Sequence, residues 1–148
     1  MPLHDLIPIL QIAIGPVILI SGVGLLLLTM TNRLGRVVDR SRELARQLRS
    51  APSNRSRIVS QLEVLSRRAR IARTAIAFAT VSVLLASTLI IVLFLVALLG
   101  LADASIITIL FISCMLSLIV SLMLFLKDVN LSLAALRLEL EASREPHS

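Results

Sequence analysis

A chain of 148 residues that is 57% hydrophobic, 3% aromatic and free of Trp and Tyr carries a formal net charge of +6. Soluble domains run at about 45–50% apolar residues, and here the excess lies in three blocks without Asp, Glu, Lys, Arg or His: Leu6–Thr31, Thr74–Leu101 and Ala104–Leu126. Three such blocks exclude an ordinary water-soluble domain, because too few polar residues remain to cover them, and the lone Cys114 excludes an intrachain disulfide.

Each block exceeds the roughly 20 apolar residues that span a hydrocarbon layer about 30 Å thick. The expectation is an all-α integral membrane protein with three transmembrane helices and long cytoplasmic helical extensions, forming a single unit over 1–148. The first block is read as a retained span rather than a cleaved leader. The preceding MPLHD has no Lys or Arg, and no small-x-small cleavage pattern precedes the arginines. Inside it, Pro16 removes a backbone donor and predicts a kink, eased by Gly15. At 100° per residue Gln11, Gly15, Gly22 and Thr29 fall within about 60° of one another. Such a small and polar stripe faces protein or water rather than lipid tails. It serves either close helix packing or the lining of a pore in an oligomer.

The next segment, Thr31–Arg73, holds twelve Arg against Asp39, Glu43 and Glu63, a surplus of nine positive charges. A short Arg-rich loop beside a span stays on the cytoplasmic side. That places the hairpin 32–73 and the C-terminus inside and the N-terminus outside a bacterial inner membrane. No aromatic is interleaved with these arginines for base stacking, so nucleic acid is not the expected partner. Leu34, Val38, Ser41, Ala45 and Leu48 step by four and three, as do Ile58, Leu62, Leu65, Ala69, Ala72 and Ile76. Both are heptad seams, with arginines outside. Pro52 stops the first arm, and Ser53 or Asn54 caps the second. No breaker but Gly35 separates span from arm, so each span should run on into its arm as one helix of roughly 45 residues. Arg33, Arg36 and Arg40 share a face at the inner headgroup level. They read as a topology signal that contacts anionic headgroups, as an inner basic ring beneath a pore, or as part of an Arg36–Asp39 or Arg40–Glu43 network between subunits.

The second span carries Ala75, Ala79, Ser82 and Ala86, and the third carries Ser113, Ser117 and Ser121. Both are small-residue packing faces, and Cys114 reads as a small buried hydrophobe. Beyond the third span, Val129, Leu133, Leu136 and Leu140 continue a helical seam through the extension 127–143. From Lys127 onward the charges are Lys127, Arg137 and Arg144 against Asp128, Glu139, Glu141 and Glu145, a net of −1. An acidic helix beside a basic hairpin predicts that the two pair, within one chain or between copies.

No phosphate-binding glycine loop, dinucleotide fingerprint or His-Glu-x-x-His motif is present. His4 and His147 lie near opposite ends and, on this topology, on opposite sides of the membrane. Catalysis, a metal and a cofactor are therefore not expected. The stretch LIPILQIAIGPVILISGVGLLLLTMTNRLGRVVDRSREL, with a basic hairpin and two further spans, resembles a bacterial family of small membrane proteins known only as a domain of unknown function. That resemblance implies a three-span inner-membrane protein with no established catalytic residue. Two functions from different classes follow. One is a homo-oligomeric, channel-like assembly lined by the first span. The other is a non-conducting scaffold or regulator whose cytoplasmic helices bind a protein partner.

Overall fold

The computed structural model describes residues 3–50, 55–100 and 105–144, with side chains from Ile7 to Ala134 apart from Ile9. Three helices account for nearly all of it: α1 (Leu3–Ser50), α2 (Arg55–Leu99) and α3 (Ser105–Arg144). At 1.5 Å per residue they extend about 70 Å, 68 Å and 60 Å, so each outreaches a ~30 Å hydrocarbon layer. All three are long and apolar enough to cross a membrane. The apolar blocks continue into the charged arms without a break, as the lack of breakers predicts. Pro8, Pro16 and Gly35 all lie inside α1. The Pro52 stop and the Ser53 or Asn54 cap fall outside the described residues.

The connections after α1 and α2 are too short for anything but antiparallel neighbours. α2 is the central helix, packed on α1 along one side and on α3 along another. On α1 the buried positions Val23, Met30, Val37 and Leu44 recur every seven residues. This strict repeat belongs to a left-handed supercoil, because a straight helix drifts about 20° per heptad away from it. The seam read from sequence is rotated by one position. Val37 and Leu44 are buried, while Leu34, Val38, Ser41, Ala45 and Leu48 flank them half-buried. Adjacent apolar residues at 37–38 and 44–45 fit the same spacing, and the larger Leu44 removes more area from water than Ala45.

On α2 the buried stripe is Ile58, Ala72, Ala75, Ala79, Ser82, Ala86 and Leu89. Small side chains let two neighbouring backbones come close, which is what drives helix association where the surroundings are as apolar as the helices. The α3 face that meets it carries Cys114, Ser117, Ser121 and Asp128, all buried. Ser121 Oγ donates to the Ala75 carbonyl at 2.7 Å, and Ser117 Oγ to the Phe78 carbonyl at 2.8 Å. Ser82 Oγ donates to the Cys114 carbonyl at 3.1 Å, and Cys114 Sγ returns a bond to the Ser82 carbonyl at 3.2 Å. Cys114 is thus more than a filler: it closes a reciprocal pair with Ser82. Each interhelical bond contributes about 0.6 kcal/mol in an apolar phase, and together they fix the antiparallel register.

α2 ends at Gly100, whose φ of 65° lies in the left-handed region. Glycine terminates helices in this conformation because a Cβ would crowd the following carbonyl. Gly100→Ala meets no neighbouring atom within 4 Å, so its expected cost is the backbone term alone, about 1–2 kcal/mol. Reversible unfolding in mixed micelles measures it. A neutral result would mean that the turn relaxes to another conformation.

Candidate functional site

At the charged end of the apolar segments the serine ladder gives way to ions. Seven residues lead along α3 from Ser121 to Asp128, and seven lead back along α2 from Ala75 to Arg68. Equal steps of two helical turns in an antiparallel pair bring Arg68 opposite Asp128, and the two meet with Nε 3.8 Å from Oδ1. From α1, Arg33 Nη2 lies 3.8 Å from the other carboxylate oxygen, Oδ2. Asp128 is 3% exposed, an unusual position for a carboxylate unless it is paired. At 3.8 Å the two contacts are ionic rather than hydrogen-bonded. Arg68 Nε and Asp128 Oδ1 have no hydrogen-bond partner.

Ser132, one turn beyond Asp128, completes the grip. Arg33 Nη2 donates to its Oγ at 3.3 Å, and Arg68 Nη2 donates to the same oxygen. The hydroxyl donates in turn to the Asp128 carbonyl at 2.9 Å. The Arg33 guanidinium also sits over the Phe125 ring, 5.4 Å from its centroid, within cation–π range. One arginine from α1 and one from α2 therefore hold a single polar face of α3. This is the pairing of acidic extension and basic hairpin anticipated from charge, made within one chain. It uses the Asp128–Ser132 face rather than the Val129–Leu133 seam. Val129 is half-buried and Leu133 is 54% exposed, and Leu136 and Leu140 lie outside the described side chains. Two charge-assisted contacts to a buried carboxylate outweigh the burial of one leucine at this height, since an unpaired buried carboxylate costs several kcal/mol.

Beside the clamp lies a cavity of about 290 Å³, lined by Arg33, Arg36, Arg40 and Arg68 with Val37, Leu65 and Ser132. The three arginines grouped from sequence thus divide. Arg33 turns into the bundle, whereas Arg36 and Arg40 stay exposed on the rim, and neither forms an ion pair with another described residue. Among the described residues the intrahelical ion pair on α1 is Arg46–Glu43 at 3.9 Å, exposed to solvent.

The stripe on the first span has a different setting. Gln11, Gly15, Gly22 and Thr29 are all exposed, and a Cβ added at either glycine would meet nothing within 4 Å. Their face is turned away from the α2 seam, so close packing inside one chain is not their role. Pro16, the predicted kink position, is half-buried at the seam's edge. Two hydroxyls near the stripe bond back along the helix, Ser21 to the Val17 carbonyl at 3.2 Å and Thr29 to the Leu25 carbonyl at 3.1 Å. Such back-bonded hydroxyls need no outside partner.

Sequence reading missed Asp128, Arg68 and Ser132. The charge count registers Asp128 as one acid among four, and Arg68 as one arginine of twelve. The available signal was register: once the serine face of α3 is laid on the alanine face of α2, the next two turns align Asp128 with Arg68.

No curated protein and no solved structure is recognisably similar to the chain. A family model does match residues 13–138, a range that holds the serine ladder, the Asp128 clamp and the arginine cavity together, and the chain belongs to that family, the protein family of unknown function DUF2721.

Proposed function

We propose that this is a multi-pass membrane protein that works as an assembly of its own copies, with α1 facing the assembly axis. The observation that carries this reading is the outward setting of Gln11, Gly15, Gly22 and Thr29 on an otherwise apolar helix. Glycines with open space beside them let a second backbone approach, and an amide among hydrocarbon tails gains a partner there. A three-helix layer also encloses no path of its own, so a channel-like axis needs several copies. The arginine surplus of Thr31–Arg73 supports a hairpin and C-terminal extension on the cytoplasmic side of a bacterial inner membrane, with the exposed arginines toward anionic headgroups.

The second reading, a non-conducting scaffold with a cytoplasmic protein partner, draws support from the back-bonded Ser21 and Thr29. A face whose hydroxyls are already satisfied is suited to packing without water. One set of measurements separates the two. With Gly22→Cys in a Cys114→Ser background, copies crosslink through position 22 in native membranes, while Phe94→Cys on the exposed face of α2 gives no such product. Reconstituted liposomes then pass ions faster than empty ones, and Gln11→Ala or Thr29→Leu changes that flux. Crosslinking with flux equal to empty liposomes favours the scaffold. Absence of any crosslink at position 22 removes the assembly altogether.

A further inference from the structure

We infer that the cavity between α1 and α2 is a binding site for one phosphate group, and specifically for the phosphodiester of an anionic phospholipid headgroup. Four guanidiniums line it and no carboxylate does; counting Asp128, which two of them hold, the lining and its clamp keep a surplus of three positive charges. Arg33 and Arg68 are engaged with Asp128 and Ser132, but each guanidinium has five donors in a rigid fork, and only part of that capacity is used. Arg36 and Arg40 have no carboxylate partner among the described residues, and they stand one turn apart on the same helix. A tetrahedral anion offers acceptors in several directions at once, which suits forks converging from two helices, and Arg–phosphate pairs are frequently bidentate. The volume of about 290 Å³ is roughly ten times a water's share of liquid, enough for a phosphodiester with its polar substituent. Val37 and Leu65 give the site an apolar wall, fit for the glycerol carbons behind the phosphate.

Position selects the source. Arg33 follows the last residue of the first charge-free block by two positions, and Asp128 follows the last residue of the third by two. Arg68 lies six residues before Thr74, where the second block begins. The lining therefore starts about 3 Å from the apolar boundary at Arg33 and reaches about 14 Å at Arg40, a range that takes in the depth of headgroup phosphates. This inference rests on the membrane reading above and is independent of assembly, so its failure and the failure of the α1 interface are separate results.

The test uses the full chain in neutral detergent. Phosphatidylglycerol, phosphatidylcholine and inorganic phosphate are titrated against thermal unfolding followed by circular dichroism, with native mass spectrometry counting lipids per chain. Phosphatidylglycerol raises the melting temperature with one lipid retained per chain, and phosphatidylcholine does not. Arg36→Gln with Arg40→Gln, which leaves the Asp128 clamp intact, weakens the apparent affinity about tenfold or more, the scale of losing charge-assisted hydrogen bonds. Arg42→Gln with Arg49→Gln removes the same charge elsewhere on α1 and leaves affinity within about twofold, as exposed charges contribute little individually. An equal, cavity-dependent shift with inorganic phosphate supports the phosphate site and assigns it to a soluble source. No shift with either anion, or equal loss in both double variants, overturns the site.

Discussion

Asp128→Ala lowers the stability of the folded chain by about 3 kcal/mol, the largest loss expected from removing any single charge. Breaking a buried pair by deleting one partner costs about 3–5 kcal/mol. The lower end applies here because Arg33 and Arg68 keep side-chain exposures of 26% and 18% and can turn partly toward solvent. Two guanidiniums lose their shared counter-ion and then repel each other across Ser132. Asp128→Asn, which keeps shape and hydrogen-bonding capacity but loses the charge, should fall between Ala and the parent chain. Steric loss alone would make Asn neutral. The readout is equilibrium unfolding in mixed micelles, and the decisive comparison is a cycle with Arg33→Gln. Coupling of 1 kcal/mol or more between positions 33 and 128 is expected for a close ion pair with low exposure, whereas surface pairs give about 0.2–1 kcal/mol. Additive losses would mean that the 3.8 Å contacts contribute no net attraction. The expected site of damage is local: the α3 extension beyond Phe125 should exchange amide protons faster, because Arg33 is its tie to α1.

What was legible in the sequence was whatever depends on short range. Charge-free runs of more than twenty residues mark the apolar segments, and the spacing of three and four marks helices. The absence of Pro at residues 31–36 and 70–76, with Gly35 the one weak point, is what makes the continuity of apolar segments and arms legible. The small-residue faces were legible as well, since Ala75, Ala79, Ser82 and Ala86 have no reason to line up unless something packs closely on them. Two things escaped. The first was the exact rotation of α1, because Val37–Val38 and Leu44–Ala45 offer two equivalent seams and only packing against α2 selects Val37 and Leu44. The second was the clamp. Its members lie 60 and 95 residues apart in the chain, Arg68 and Arg33 against Asp128, and no local pattern distinguishes Asp128 from the acids that follow it in the sequence. The separation of the three arginines that looked equivalent, Arg33 inward and Arg36 and Arg40 outward, has the same origin. It depends on where α3 passes, which is set some ten residues away by the serine ladder.

That ladder also sets the second large effect. Ala75→Leu is expected to destabilise the chain by about 3 kcal/mol, while Ala77→Leu, two residues on, stays within about 0.5 kcal/mol. Both substitutions add the same three carbons to the same helix, so hydrophobicity and helix propensity cannot separate them. Ala75 is fully buried and its carbonyl accepts from Ser121 Oγ at 2.7 Å, so the α2 and α3 backbones stand within one side-chain hydroxyl of each other. An isobutyl group has no room in that gap. Overpacking costs typically 1–3 kcal/mol, and pushing α3 outward also stretches the neighbouring bonds from Ser117 and between Ser82 and Cys114. Ala77 is exposed, where a leucine meets lipid or detergent at little cost. Displacing α3 at position 75 also moves Asp128, two turns away on the same rigid helix. The Ala75→Leu chain should therefore lose the anion-dependent stabilisation of the arginine cavity along with its own stability, although no residue of that cavity has changed. If Ala75→Leu lost stability but kept the cavity's response to phosphatidylglycerol, the α2–α3 register would not be what positions the clamp, and Arg33 stacked on Phe125 would have to hold it alone.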